Sequence, residues 1–149
     1  MSRTYIPAEL RREVRQRARD CCEYCLIPES MTLAAHEIDH VIAEKHGGPT
    51  DAGNLALACA LCNGFKGSDL ASIDAASGAI VPLFNPRRDR WTEHFRLEAG
   101  RIEPLTASGR ATVRLLQLNH QHRVEERILL IAAGVIRARE ASEASEDQS

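Results

Sequence analysis

Residues 36–67 read HEIDHVIAEKHGGPTDAGNLALACALCNGFKG, and the reading of this stretch decides the fold. It closes on Cys59-Ala-Leu-Cys62, a pair matched upstream by Cys22-Glu-Tyr-Cys25. A two-residue spacer lets one backbone knuckle present two thiolates to a single ion, so two such pairs point to a tetrahedral Zn²⁺ site. The competing readings are a disulfide pair and a redox Cys-x-x-Cys. Disulfides are disfavoured in the cytoplasm, and a redox site does not need two matched pairs. Cys21 is left over, since it could replace Cys22 only by lengthening the spacer to three residues. Residues 26–58 separate the pairs, more than the ~15–20 residues of a compact zinc ribbon, so the knot must enclose a further element. Four thiolates leave no open coordination position, which makes this zinc structural.

Outward from the knot, the elements read as α+β. Pro7 introduces a helix over Ala8 to Asp20, with Leu10, Val14 and Ala18 on one side. Leu33 to Asp39 reads as a short strand, His46-Gly47-Gly48-Pro49 as a turn, and Asn54 to Cys59 as a second apolar stretch. A short helix is expected from Asn63. Ser77-Gly78 and Asn85-Pro86 carry loop signals, and a hairpin is expected from Trp91–Glu98 and Arg101–Leu105 around Ala99-Gly100. Two helices follow. One covers about 109–118, capped by Thr106 or Ser108; the other covers about 123–139, with Val124, Ile128, Ile131 and Val135 at helical spacing. The apolar run Ile128 to Ile136 reads as a buried helix, far short of a bilayer span.

The chain has 149 residues, 44% hydrophobic and 27% charged, which fits one ordinary globular domain over residues 1–139 and excludes membrane and wholly disordered classes. Its core is expected at 20–70, with the hairpin and helices at 80–139. The opening MSRTYIPAELRREV lacks the apolar stretch of a signal peptide, so a cytoplasmic protein is expected. Net charge is −2, which argues against a simple electrostatic nucleic-acid binder, but four acids lie in the end EASEASEDQS, where a disordered acidic tail is expected over 140–149. Arginines gather at Arg11, Arg12, Arg15, Arg17 and Arg19 and again at Arg87, Arg88 and Arg90. Either cluster suits phosphates, though an ordinary solvated face is the default for each.

The order Asp39-His40, Gly47-Gly48, Asn54-Leu55 and Cys59-x-x-Cys62-Asn63-x-x-Lys66-Gly67 resembles the zinc-containing branch of the HNH nuclease family. The resemblance covers about residues 20–67 and implies a ββα-metal core stapled by the Cys22, Cys25, Cys59 and Cys62 zinc knot. It implies a metal-dependent endonuclease acting on nucleic acid, most naturally DNA, as monomer or homodimer and without a membrane.

Phosphodiester hydrolysis needs a base for water and charge stabilisation at the leaving oxygen. His40 suits the base, since an unperturbed imidazole titrates near about 6.5. Asp39 offers a hard oxygen to Mg²⁺ or Mn²⁺. The resemblance implies that Asn63 supplies the second protein ligand to that ion, where the family's name-giving pattern has histidine. It also implies that Asn54 braces the loop that orients His40. Lys66 is a candidate phosphate contact, with a solvated helix lysine as the alternative. His36 is another candidate contact or ligand, with a hydrogen-bonded structural histidine favoured over either.

Two points stand out against the family pattern. In a regular strand Asp39 and His40 point to opposite faces, so the strand must end or bend there. Ala43 stands where many relatives carry proline. The rival reading is a non-cutting zinc-dependent nucleic-acid-binding or adaptor module. The joint presence of Asp39, His40, Asn54 and Asn63 favours the enzyme.

Overall fold

The computed structural model describes residues 4–136. The helix expected to run on to Arg139 and the acidic tail expected over 140–149 therefore lie partly or wholly outside the described residues. The fold is α+β, built from helices and two-stranded antiparallel sheets. Contacts gather the chain into two compact units: residues up to Ser68 with Asn85–Arg87, and Asp69–Phe84 with the chain from Arg88 onward.

In the first unit, helix α1 (Ala8–Ala18) begins after Pro7 and ends where Arg19 turns left-handed. Its buried Val14 and Ala18 meet Ile6, Leu55 and Leu57, with Leu10 and Ile38 packed around them. This core is small, and polar pins reinforce it. Arg15 pairs with Glu29 at 2.7 Å, and Arg17 donates to the carbonyls of Ala52 and Leu55 at 2.9 and 2.7 Å. These two arginines of the N-terminal cluster thus hold α1 to the chain below it.

Strands β1 (Glu37–His40) and β2 (Leu55–Ala58) pair antiparallel, Glu37 opposite Ala58 and His40 opposite Leu55. β1 begins later than the expected Leu33, whose side chain is fully exposed, because Glu29–Met31 forms a 3₁₀ turn and the chain joins the sheet only at Glu37. Alternation along β1 places Ile38 and His40 on one face and Glu37 and Asp39 on the other. Helix α2 (Ala60–Lys66) starts three residues before the expected Asn63, since the Cys59 sulfur caps it by accepting from the Cys62 N–H. The order β1, β2, α2 is the expected ββα unit.

The second unit holds a hairpin, β3 (Ala71–Ile73) with β4 (Ile80–Pro82), whose turn carries the Ser77-Gly78 loop signal. Buried Asp74 organises its turn, accepting from Ala76 N–H, Ser77 hydroxyl and the guanidinium of Arg110. The turn of helix α3 (Trp91–His94) precedes β5 (Phe95–Glu98) and β6 (Arg101–Pro104), so the first expected hairpin strand starts as helix. Ala99 and Gly100, both at positive φ, close the β5–β6 turn. Phe84, Trp91 and Phe95 stack edge to face or tilted at 5.2 Å. Thr106 caps α4 (Ala107–Leu115), as expected.

Helix α5 (Gln121–Ala132) departs from expectation. Ile128, Leu129 and Val135 are exposed, whereas Arg123 and Arg127 are buried. Arg123 donates to the Leu116 carbonyl at 2.7 Å, and Arg127 donates to the Gly100 and Leu118 carbonyls. Backbone carbonyls left open at the end of α4 and in the β5–β6 turn need donors, and two arginines one helical turn apart supply them. The buried-helix reading of Ile128 to Ile136 is corrected accordingly. No helix among the described residues is long and apolar enough to cross a membrane.

Candidate active site

The four cysteines of the two pairs converge, with all sulfurs within 4.8 Å of one another and all four residues buried. Zn–S bonds of about 2.3 Å in a tetrahedron set sulfurs about 3.8 Å apart. Cys25 and Cys59 sulfurs lie 3.7 Å apart. Burial, with hydrogen bonds from Cys25, Cys59 and Cys62, pushes the Cys22 thiol well above its ordinary value. Four thiolates need a dication here, and these residues fit zinc. Cys21, half-buried, stands outside the group.

The knuckle also reaches its neighbours. Glu23, between Cys22 and Cys25, is buried; its carboxylate accepts from Leu57 N–H at 2.8 Å and from the Arg87 guanidinium, while its own N–H donates to the Leu57 carbonyl. Arg87 belongs to a cluster that the sequence suits to phosphate or, by default, to a solvated face; it is instead engaged at the knuckle, by a Glu23 that carries no sequence signal.

His40 ends β1, and the chain bends directly after it. Its Nε2 is 2.8 Å from the Thr50 hydroxyl, which donates to Glu44 at 3.2 Å. A hydroxyl has one proton, so Nε2 must donate to Thr50, and Nδ1 carries the lone pair. Nδ1 has no hydrogen-bond partner among the described residues and is not sealed from solvent.

Asn54 is buried and spans the loop: its carbonyl oxygen accepts from Ile42 N–H, and its amide donates to the carbonyls of Ile42 and Pro49, each at 2.9 Å. It thereby ties the segment after His40 to that before Thr50. Gly48 fits beneath it, since a Cβ there would lie 1.7 Å from the Ile42 carbonyl oxygen.

On the opposite face of β1, Asp39 is buried beside α2, where its Oδ2 accepts from the Tyr24 hydroxyl at 3.3 Å and lies 3.1 Å from the Lys66 ammonium. Burial raises the Asp39 carboxyl above its ordinary value, a shift that the Lys66 charge and the hydrogen bonds from Lys66 and Tyr24 oppose. Lys66 also donates to the His40 carbonyl at 3.4 Å. Lys66, a candidate for a phosphate contact or a solvated helix lysine in the sequence, is instead only 3% exposed and turned inward.

Asn63 stands one helical turn before Lys66, and its amide nitrogen donates to Glu37. A carboxylate only accepts, so the Asn63 NH₂ faces Glu37 and its Oδ1 points away. Asp39 Oδ1 and Asn63 Oδ1 have no hydrogen-bond partner among the described residues. Two such hard oxygens fit a divalent ion held otherwise by water and phosphate. His36 makes no hydrogen bond to either residue. It is buried, its Nε2 donates to the Ile27 carbonyl at 2.8 Å, and its Nδ1 is enclosed without a partner.

The family model of HNH endonucleases matches residues 22–69. The match runs from Cys22 to just past α2, about a third of the chain, so the matched segment contains the whole ββα unit and both cysteine pairs. No curated protein and no solved structure matches the chain. Glu37, Glu44 and Thr50 also lie in the matched segment and complete the site around residues that the sequence pattern singles out. Glu37 had a signal, standing two residues before Asp39 and hence on its face of the strand. Thr50 reaches His40 only through the folded loop, for which no sequence signal exists.

Proposed function

We propose that the protein is a metal-dependent endonuclease that hydrolyses phosphodiester bonds of nucleic acid, most naturally DNA, with His40 as general base. The observation that carries this reading is the state of His40: Nε2 is committed to Thr50, and Nδ1 is left as an unpartnered lone pair at the end of the strand that also bears Asp39.

In this reading Nδ1 removes a proton from the attacking water. The Thr50–Glu44 pair holds the ring, and the Glu44 carboxylate, 3.6 Å from Nε2, faces the positive charge that develops there. Asp39 and Asn63 would hold Mg²⁺ or Mn²⁺, which when bound supplies Lewis-acid stabilisation of the phosphate and leaving oxygen. Asn54 and Gly48 keep the loop carrying Thr50 in register with His40. The zinc knot fixes the start of α2 and hence Asn63.

The test is nicking of supercoiled plasmid by zinc-loaded protein in Mg²⁺ or Mn²⁺ against EDTA, alongside His40→Ala checked for zinc content. Metal-dependent nicking that falls by roughly 10²–10⁴-fold in the folded variant is expected, the usual worth of a general base. Binding of DNA without cleavage of DNA or RNA by any metal would favour the non-cutting zinc module.

A further inference from the structure

The two oxygens of Asp39 are unequally committed. Oδ2 receives both the Tyr24 hydroxyl and the Lys66 ammonium, at 3.3 and 3.1 Å, while Oδ1 receives nothing from the described residues. Neither partner is free to leave. Tyr24 is 1% exposed and is locked into the zinc knuckle between Cys22 and Cys25; Lys66 is 3% exposed and is held a second time by the His40 carbonyl. The asymmetry is therefore imposed by packing from the zinc side and by α2, not by a mobile surface contact.

We propose that Tyr24 and Lys66 are positioning residues that restrict Asp39 to one-oxygen coordination, and so select small octahedral ions such as Mg²⁺ and Mn²⁺ against Ca²⁺. The proposal rests on the metal-dependent reading above. Ca²⁺ takes about 6–8 oxygens in flexible geometry and readily uses both oxygens of a carboxylate, whereas Mg²⁺ demands a near-ideal octahedron and keeps several waters. A carboxylate with one oxygen already bound to two donors cannot chelate. Lys66 also offsets the charge of Asp39, which keeps affinity for any dication low until a phosphate contributes negative charge. The zinc knuckle thus reaches the second metal site through Tyr24, without sharing a ligand with it.

The test is Mn²⁺ binding by zinc-loaded full-length protein, followed by the electron paramagnetic resonance of free Mn²⁺, with Ca²⁺ and Mg²⁺ as competitors. Asp39→Asn should abolish Mn²⁺ binding. Tyr24→Phe should raise the apparent affinity for Ca²⁺ relative to Mn²⁺ several-fold. Lys66→Met should raise that ratio further and tighten both ions roughly tenfold, as expected on removing a nearby unit charge under partial screening. Lys66→Arg should restore wild-type selectivity. A merely structural lysine would not tighten ion binding when removed. If Lys66→Met loses its zinc, Tyr24→Phe decides alone, since it removes one hydroxyl and no charge. Loss of binding in Asp39→Asn with an unchanged Ca²⁺ to Mn²⁺ ratio in the folded Tyr24 and Lys66 variants would overturn the proposal and leave the nuclease reading standing. Unchanged binding in Asp39→Asn would remove the ion site itself, and the proposal with it.

Discussion

Asn63 can serve an ion through Oδ1 only while its NH₂ is held elsewhere, and Glu37 holds it. Glu37→Gln would let either end of the Asn63 amide face the new partner, because a neutral amide both donates and accepts. Weaker Mn²⁺ binding with unchanged zinc content is expected, and nicking should recover at higher Mn²⁺. Wild-type dependence on Mn²⁺ would remove Glu37 from the site. Asn54 answers to a different measurement. Its three hydrogen bonds serve the Ile42 amide and the Ile42 and Pro49 carbonyls, so Asn54→Ala leaves three part-buried backbone groups without their partner. A loss of about 2–4 kcal/mol in denaturant unfolding is expected, since each of the three hydrogen bonds contributes a net of about 0.5–1.5 kcal/mol where water can reach the freed group. At this scale Asp39, His40, Asn54 and Asn63 were legible in sequence because their order and spacing carry a family resemblance. Their partners were not. Thr50, Glu44 and Tyr24 reach them through loop closure, and Lys66 looked like a surface lysine because nothing local says which way a helix will face.

Helix and strand positions followed the hydrophobic pattern where burial is apolar, and failed where polar groups do the packing. In α1 the spacing of Leu10, Val14 and Ala18 identified the inner face correctly. In α5 the same logic selected Ile128 and Val135, and missed that Arg123 and Arg127 meet open carbonyls that only the folded chain assembles. The loop between β1 and β2 offers two opposed tests. Gly48→Ala would drive a Cβ into the Ile42 carbonyl and the Asn54 amide. Destabilisation of about 1–3 kcal/mol is expected from such overpacking, with nicking reduced because Thr50 moves off His40. Ala43 lies at φ −60°, ψ 150°, which proline adopts readily, and its N–H has no hydrogen-bond partner among the described residues. Ala43→Pro should therefore raise stability by about 0.4–1 kcal/mol by restricting the unfolded chain. A lower melting temperature would mean that Ile42 cannot accept a following proline.

Length and composition fit one domain over residues 1–139, and within the chain the contacts form two compact units that differ in what holds them. The first relies on a small apolar cluster and the cysteine knot. The second has an aromatic core and buried Asp74 held by the exposed Arg110, but lacks the cysteine group. The two should respond to different insults. Strong zinc chelation should unfold the first unit, because four buried thiols lose the ion that neutralises them and α2 loses its capped start. Hydrogen exchange should then show protection lost in β1, β2 and α2 but retained in β5, β6 and α4. Acid should strike the second unit. Hydrogen bonds from Arg110 and then Ser77 hold the Asp74 carboxyl well below the usual carboxylate range. A depressed carboxylate stabilises the fold above its unfolded pKa, and that contribution disappears as pH falls through the folded value. Arg110→Gln should therefore shift the acid unfolding of β3, β4 and α4 to higher pH while leaving the chelator response of the first unit unchanged. If chelation removes protection from both units together, the chain folds as the single domain that its length implied, and the zinc knot supports all of it.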